Sequence, residues 1–173
     1  MTIFILFSFT NLHIYVPKFI IWFFRLHTQV SGAFQLKDGN HDLVGILPLR
    51  EIFHLPEKLL VGDTYDQLIR GQTSQSVQDF NVEYTKEMTE WLFATKEFGL
   101  DIVSINVQRG RDHQIQGYTT YKYMCGLGST YTWEDLKDLI PEELVHKLQH
   151  TYSSPNDVDM YIAQSMETPL PGK

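Results

Sequence analysis

Cysteine, basic side chains and long apolar runs are all scarce in this chain, and each scarcity excludes something. Its 173 residues contain one cysteine, Cys125, so no disulfide can close within it. Fourteen lysines and arginines stand against twenty-one acidic residues, a formal charge of −7. That balance disfavours a binder of phosphate backbones, so no nucleic-acid partner is expected. The most apolar stretch, Ile3 to Phe9, is followed by Asn11, His13, Pro17 and Lys18 before it reaches bilayer length, so no membrane span is expected. No basic residue precedes the stretch and no small-residue cleavage pattern follows it, which argues against a signal peptide. The alternative is a buried N-terminal segment, or a misread start joined to a domain, and this is the reading adopted. Residues 1–18 are accordingly set apart as an apolar extension of uncertain nature, with the domain in residues 19–173. No Asn-x-Ser/Thr sequon occurs, so glycosylation lends secretion no support.

What is present is a core-forming composition: 43% apolar and 13% aromatic residues, enough for one domain of thick helical packing or for walls around a flat cofactor. The spacing predicts a mainly α fold with one small β-hairpin. Pro17 suits the first turn of a helix, and the run from Phe19 to Val30 is apolar almost all round, so that helix must be buried. It carries Arg25 and His27. A histidine there has a plain explanation, a core imidazole bonded to a carbonyl, and a sharper one, a metal ligand. Asp38-Gly39 lies between short apolar runs and predicts the hairpin. Helical spacing follows near Glu57, over 64–70 and over 80–94, the last with Met88, Trp91 and Leu92 on one face; 71–76 reads as a polar turn. Further helices are predicted from Gly117-Tyr118 to Cys125-Gly126 and from Pro141 onward, with Thr132 to Asp135 shaped like a cap. His146 and His150 lie four apart without an H-E-x-x-H pattern and read as a solvated face, and His54 reads as a surface residue.

The densest chemistry lies in Ile105-Asn106-Val107-Gln108-Arg109-Gly110-Arg111-Asp112-His113-Gln114. An amide, two guanidiniums, a carboxylate and an imidazole follow directly on an apolar segment, and each charge needs a partner or an anionic ligand. On a helix Asn106 and Arg109 share a face, as do Arg109 and Asp112. Gly110 leaves room for another backbone or a flat ligand. Two readings stand: an internal ion pair from Arg109 or Arg111 to Asp112, or a ligand site.

The longer run NVQRGRDHQIQGYTTYKYMCGL closely resembles the N-x-Q-R-x-R-D-H-G-x-P-G-Y-x-x-x-R-x-x-C-G-L signature of the animal haem peroxidases. Gln114, Gln116 and Lys122 stand where that signature has glycine, proline and arginine. F-R-L-H-T-Q-V resembles the family's proximal-histidine helix, although many members have two residues between the arginine and histidine where this chain has only Leu26. The hairpin followed by L-R-x-x-F, and the segment from Pro155 to Tyr161, also resemble the family. The resemblance implies a haem cofactor with His27 as its proximal iron ligand. It implies further that Asn106 accepts the hydrogen bond of the other ring nitrogen of His27 and that Arg109 pairs with a haem propionate.

It also implies what is missing. The family's distal histidine with its calcium-binding loop, the distal arginine and the acidic residues that esterify haem all precede the proximal histidine and have no counterpart here, so no catalytic residue and no calcium site are expected. The family's cysteine partner for Cys125 lies beyond the last residue. The expectation is thus a partial, proximal-side peroxidase domain, from a truncated product or gene model. Its parent reduces hydrogen peroxide at haem and oxidises a small or protein-bound electron donor, outside the cell by family analogy. The alternatives are an inactive remnant serving interaction or adhesion, and an all-helical domain held by an ion-pair knot.

Overall fold

The structure is a computed structural model that describes residues 27–95 and 98–169. Of the helix predicted over residues 19–30, the part up to residue 26 lies outside the described residues, and His27–Gln29 is a 3-10 turn where the spacing predicts continued helix. The described chain falls into two compact units, one ending at Ser104 and one beginning at Ile105. Among the described residues there are six α-helices and a two-stranded antiparallel hairpin, the mainly α architecture that the spacing predicts.

In the first unit, β1 (Ala33–Lys37) pairs with β2 (Leu43–Pro48), with a register shift at Leu36/Lys37. Asp38 organises the turn: its Oδ1 accepts from the backbone N–H groups of Asn40 and Asp42 at 2.9 and 3.0 Å, the local bond that makes aspartate a turn residue. Helix α1 (Thr64–Gln72) packs on β1. It runs two residues further than the spacing predicts, so Gly71 is a buried helical position and not part of a polar turn. A Cβ there would sit 1.7 Å from the Gln35 carbonyl oxygen; only glycine lets the helix lie this close to the strand backbone. Just beyond, Gln75 imitates a neighbouring strand. Its Oε1 accepts from Gln35 N–H and its Nε2 donates to the Ala33 carbonyl, both at 2.9 Å.

The helix predicted over 80–94 shrinks to α2 (Lys86–Thr89). Before it, the Asn81 side chain accepts from Glu83 N–H at 2.8 Å, the local bond by which asparagine competes with helix. After it, Phe93 turns to φ 50° and Leu92 bridges Leu100. Tertiary partners hold the rest. The buried Glu87 carboxylate takes the Arg50 backbone N–H at 3.0 Å and its guanidinium in a fork, while that guanidinium lies 4.6 Å from the centre of the Trp91 ring. Trp91 is therefore exposed under a cation, whereas Met88 and Leu92 are buried. His54 is exposed, as expected, and rests against Phe93.

The second unit contains α3 from Ile105 onward (the helix spans Ile102–Asp112), α4 (Tyr118–Met124), α5 (Glu142–Thr151) and α6 (Met160–Met166). Its core is Tyr118, Leu136, Ile140, Val145, Leu148, Val158 and Ala163. The helix cap expected at Thr132 to Asp135 is not found: the segment enters a single 3-10 turn, Glu134–Leu136, whose N-cap Trp133 makes no side-chain cap bond. Asp135 Oδ2 instead accepts from the N–H groups of Tyr131 and Thr132 and from the Thr132 hydroxyl. Those donors hold its carboxyl below the ordinary carboxylate range. Lys122, 2% exposed, donates to the Asp135 carbonyl at 2.7 Å and meets Asp138 at 3.1 Å. A buried ammonium satisfied by one carbonyl and one carboxylate meets the condition for burying charge. His146 and His150 lie exposed on α5, each bonded within its own helix, at 3.1 Å to Gln149 and 2.7 Å to the His146 carbonyl. Among the described residues no group of three or more potential metal-ligating side chains comes together, and no helix is long and apolar enough to cross a membrane.

Candidate functional site

Helix α3 sorts its polar side chains by direction. Asn106 is buried, 2% exposed. Arg109, one turn on, is exposed and has no ion-pair partner among the described residues. Of the two readings of the cluster, the ion pair from Arg109 or Arg111 to Asp112 does not form among the described residues. Asp112 instead accepts from Gln108 Nε2 at 2.7 Å, a neighbour four residues back on the same face. Arg111 reaches a carboxylate 48 residues away: its Nε and NH2 donate to the two oxygens of Asp159 at 2.9 and 2.7 Å. A forked, charge-assisted pair outcompetes a short aspartate on the same helix because guanidinium and carboxylate planes can then match. The bond to Asp159 raises the Arg111 guanidinium above its ordinary value.

Asp159 is 14% exposed in its side chain and takes a third donor, the Tyr152 hydroxyl at 2.8 Å. Burial, and then this bond, pushes the Tyr152 phenol up to about 12. Around it the two recognised segments join. Gly117 bridges Asp159, Tyr118 N–H donates to the Val158 carbonyl at 2.9 Å, and the Thr119 hydroxyl donates to Asn156 Oδ1 at 2.9 Å. A Cβ at Gly117 would lie 2.6 Å from the Asn156 carbonyl oxygen, so the glycine ahead of the tyrosine is required by this approach. Asn106, Val107, Gly110, Ile115, Asp159, Met160 and Tyr161 line one small cleft. Gly110 opens onto it with no heavy atom within 4 Å of an added Cβ, so its role is not close approach of another backbone among the described residues.

The end of α3 explains one departure from the signature. Ile115 N–H donates to the Gly110 carbonyl at 2.9 Å and Gln114 N–H to the Arg111 carbonyl at 3.0 Å, a Schellman stop. Its left-handed residue is Gln114, at φ 55°, where glycine has no Cβ penalty. Gln114→Gly is expected to stabilise the chain by roughly 0.5–1 kcal/mol, the relief of left-handed strain less the entropy glycine adds to the unfolded chain. Thermal denaturation reads this as a rise in midpoint; a fall would show that the Gln114 side chain contributes more than its backbone strain costs.

Of the three residues expected to serve haem, Asn106 and Arg109 lie on α3 and His27 on the 3-10 turn of the other unit, half-buried. Next to His27 the Thr28 hydroxyl is buried with no hydrogen-bond partner among the described residues. Taken one by one, the residue types fit haem: an imidazole could offer a ring nitrogen to iron, a buried amide an acceptor, and an exposed guanidinium a cation for a carboxylate. Sequence reasoning missed Asp159 and Tyr152 as partners of the cluster; the resemblance of the 155–161 segment was the available signal.

Known proteins agree over most of the chain. The animal haem peroxidase family model matches residues 13–173. A peroxidase of Drosophila melanogaster is 32% identical over 147 residues, 84% of this chain and 21% of that protein. Thyroid peroxidase of Sus scrofa is 34% identical over 150 residues, 83% of this chain and 15% of that protein. Among solved structures, peroxidase A from Dictyostelium discoideum matches with a TM-score of 0.77 at 26% identity, covering 90% of this chain and 30% of that one. The chain thus spans about a fifth of the length of the Drosophila relative. Because the family match takes in both segments that the Arg111–Asp159 pair ties together, the chain belongs to the animal haem peroxidase family.

Proposed function

We propose that this chain forms the proximal, haem-holding side of a peroxidase that reduces hydrogen peroxide to water with electrons from a small or protein-bound donor. The observation that carries the reading is the family match together with the division of labour on α3, a buried Asn106 and an exposed Arg109 that has no ion-pair partner among the described residues. In this reading the neutral imidazole of His27 ligates iron through one nitrogen. Asn106 accepts the proton-bearing nitrogen of the same ring, which holds its orientation and makes it a stronger base. Arg109 neutralises a propionate. When bound, haem supplies the redox centre at which peroxide accepts electrons. Full turnover also requires a distal base to move a proton and a distal cation to stabilise the departing charge, and none of His27, Asn106 or Arg109 fills either role. By family analogy the protein acts outside the cell.

Haemin titration followed in the Soret band tests the reading. The chain is expected to give a saturable shift, and Arg109→Gln to weaken binding by about fivefold, the upper range for an exposed ion pair. Absence of any saturable shift would remove the haem assignment. Binding without peroxide-dependent donor oxidation would favour the second reading, an inactive peroxidase-like module of interaction or adhesion.

A further inference from the structure

We propose that Asp159, acting through Arg111 and braced by Tyr152, is a positioning residue that sets the rotation of α3 and thereby the direction of Asn106 and Arg109. The inference rests on the haem reading for what that direction serves, and on geometry for the device itself.

At about 100° of rotation per residue, Arg109 and Arg111 point roughly 200° apart, to nearly opposite sides of the helix. Both side chains are exposed, but the Arg111 guanidinium is held by two parallel bonds of 2.9 and 2.7 Å. A fork resists rotation about the helix axis, which a single point contact does not. Asp159 is itself fixed from two further directions, by the Tyr152 hydroxyl at 2.8 Å and by its backbone bridge to Gly117. It immediately precedes α6, and the first residues of that helix, Met160 and Tyr161, are buried and line the same cleft as Asn106. The carboxylate that grips one side of α3 therefore also places the residues beside Asn106.

The helix alone does not supply this restraint. Among the described residues nothing stands within 4 Å of a Cβ added at Gly110, and the Gln108 amide donates to Asp112 on the same helix. The grip of Asp159 on Arg111 is a forked side-chain tie from the last turn of α3 to the residue just ahead of α6.

The test uses the whole chain and haemin as the probe, with Asp159→Asn, Arg111→Lys and the exchanged pair Arg111→Asp/Asp159→Arg. Asp159→Asn is expected to raise the haemin dissociation constant about tenfold, the lower range for groups that orient a metal ligand's partner. Arg111→Lys is expected to weaken it similarly, because charge survives but the fork does not, and the exchanged pair to recover part of the loss. The carboxamide NMR signals of Asn106, recorded without haemin, are expected to move in both single variants and return toward their original positions in the exchanged pair. Unchanged Asn106 signals in Asp159→Asn overturn the proposal, as does an Arg111→Lys chain that binds like the original, since a role in bulk charge or stability is rescued by lysine. If the unaltered chain takes up no haemin, the haem reading falls, and the Asn106 signals alone then decide the positioning claim.

Discussion

A His27→Ala chain is expected to lose the haemin-induced Soret shift, with affinity down by more than about 100-fold, because removal of a direct ligand exceeds the 10–100-fold cost typical of the groups behind it. In the proposed reading the imidazole is the one group of the three that would meet iron; Arg109, which is exposed, would supply charge, and Asn106, which is buried, would be the acceptor. Loss of a ligand should be repaired by the ligand alone. Millimolar imidazole is therefore expected to restore much of the spectrum to His27→Ala and to do little for Arg109→Gln. Circular dichroism separates this from misfolding, since His27 lies on a three-residue 3-10 turn and contributes little to helix content. A His27→Ala chain that still binds haemin as tightly as the original would transfer the ligand role to another residue and overturn the assignment.

Gly71→Ala is expected to lower the thermal midpoint by about 4–8 °C. The added methyl would stand 1.7 Å from the Gln35 carbonyl oxygen and 2.7 Å from its carbon. The obstacle is backbone, so α1 and β1 must separate. Overpacking of this kind costs roughly 3 kcal/mol. Alanine returns about 1 kcal/mol in helix propensity. The net of about 2 kcal/mol converts at roughly 2–4 °C per kcal/mol for a chain of this size. Separation would also loosen the Gln75 amide from Gln35 and Ala33, so protection of the Gln35 amide from hydrogen exchange should fall. Gly39→Ala is the control, because its Cβ would meet nothing within 4 Å. Equal midpoints for the two variants would show that the strand yields at little cost.

The residues divide by the range over which their partners lie. The Asp38 turn, the end of α3 at Gln114 and the Asp135 loop bonds each involve residues within a few positions of one another, the range over which turn and helix-end chemistry acts. The hairpin and most helices are legible for the same reason. The cluster from Asn106 to His113 is legible too, as polar density next to an apolar segment and as a family signature.

The partners of its charges are not legible. Arg111 has Asp112 beside it in the chain and chooses Asp159; Arg50 has Glu51 beside it and chooses Glu87, 37 residues on. The helix expected over 80–94 shortens because Glu87 is committed to Arg50 while Asn81 and Phe93 divert the backbone on either side. Spacing along a chain reports which side chains share a face, and hence which elements form. A forked ion pair also needs two planes brought together at a set angle. Only packing of distant segments supplies that angle, so local elements and family membership could be read from residue order, while Asp159 as the grip on α3 and Gln35 as the reason for Gly71 emerged from the folded chain.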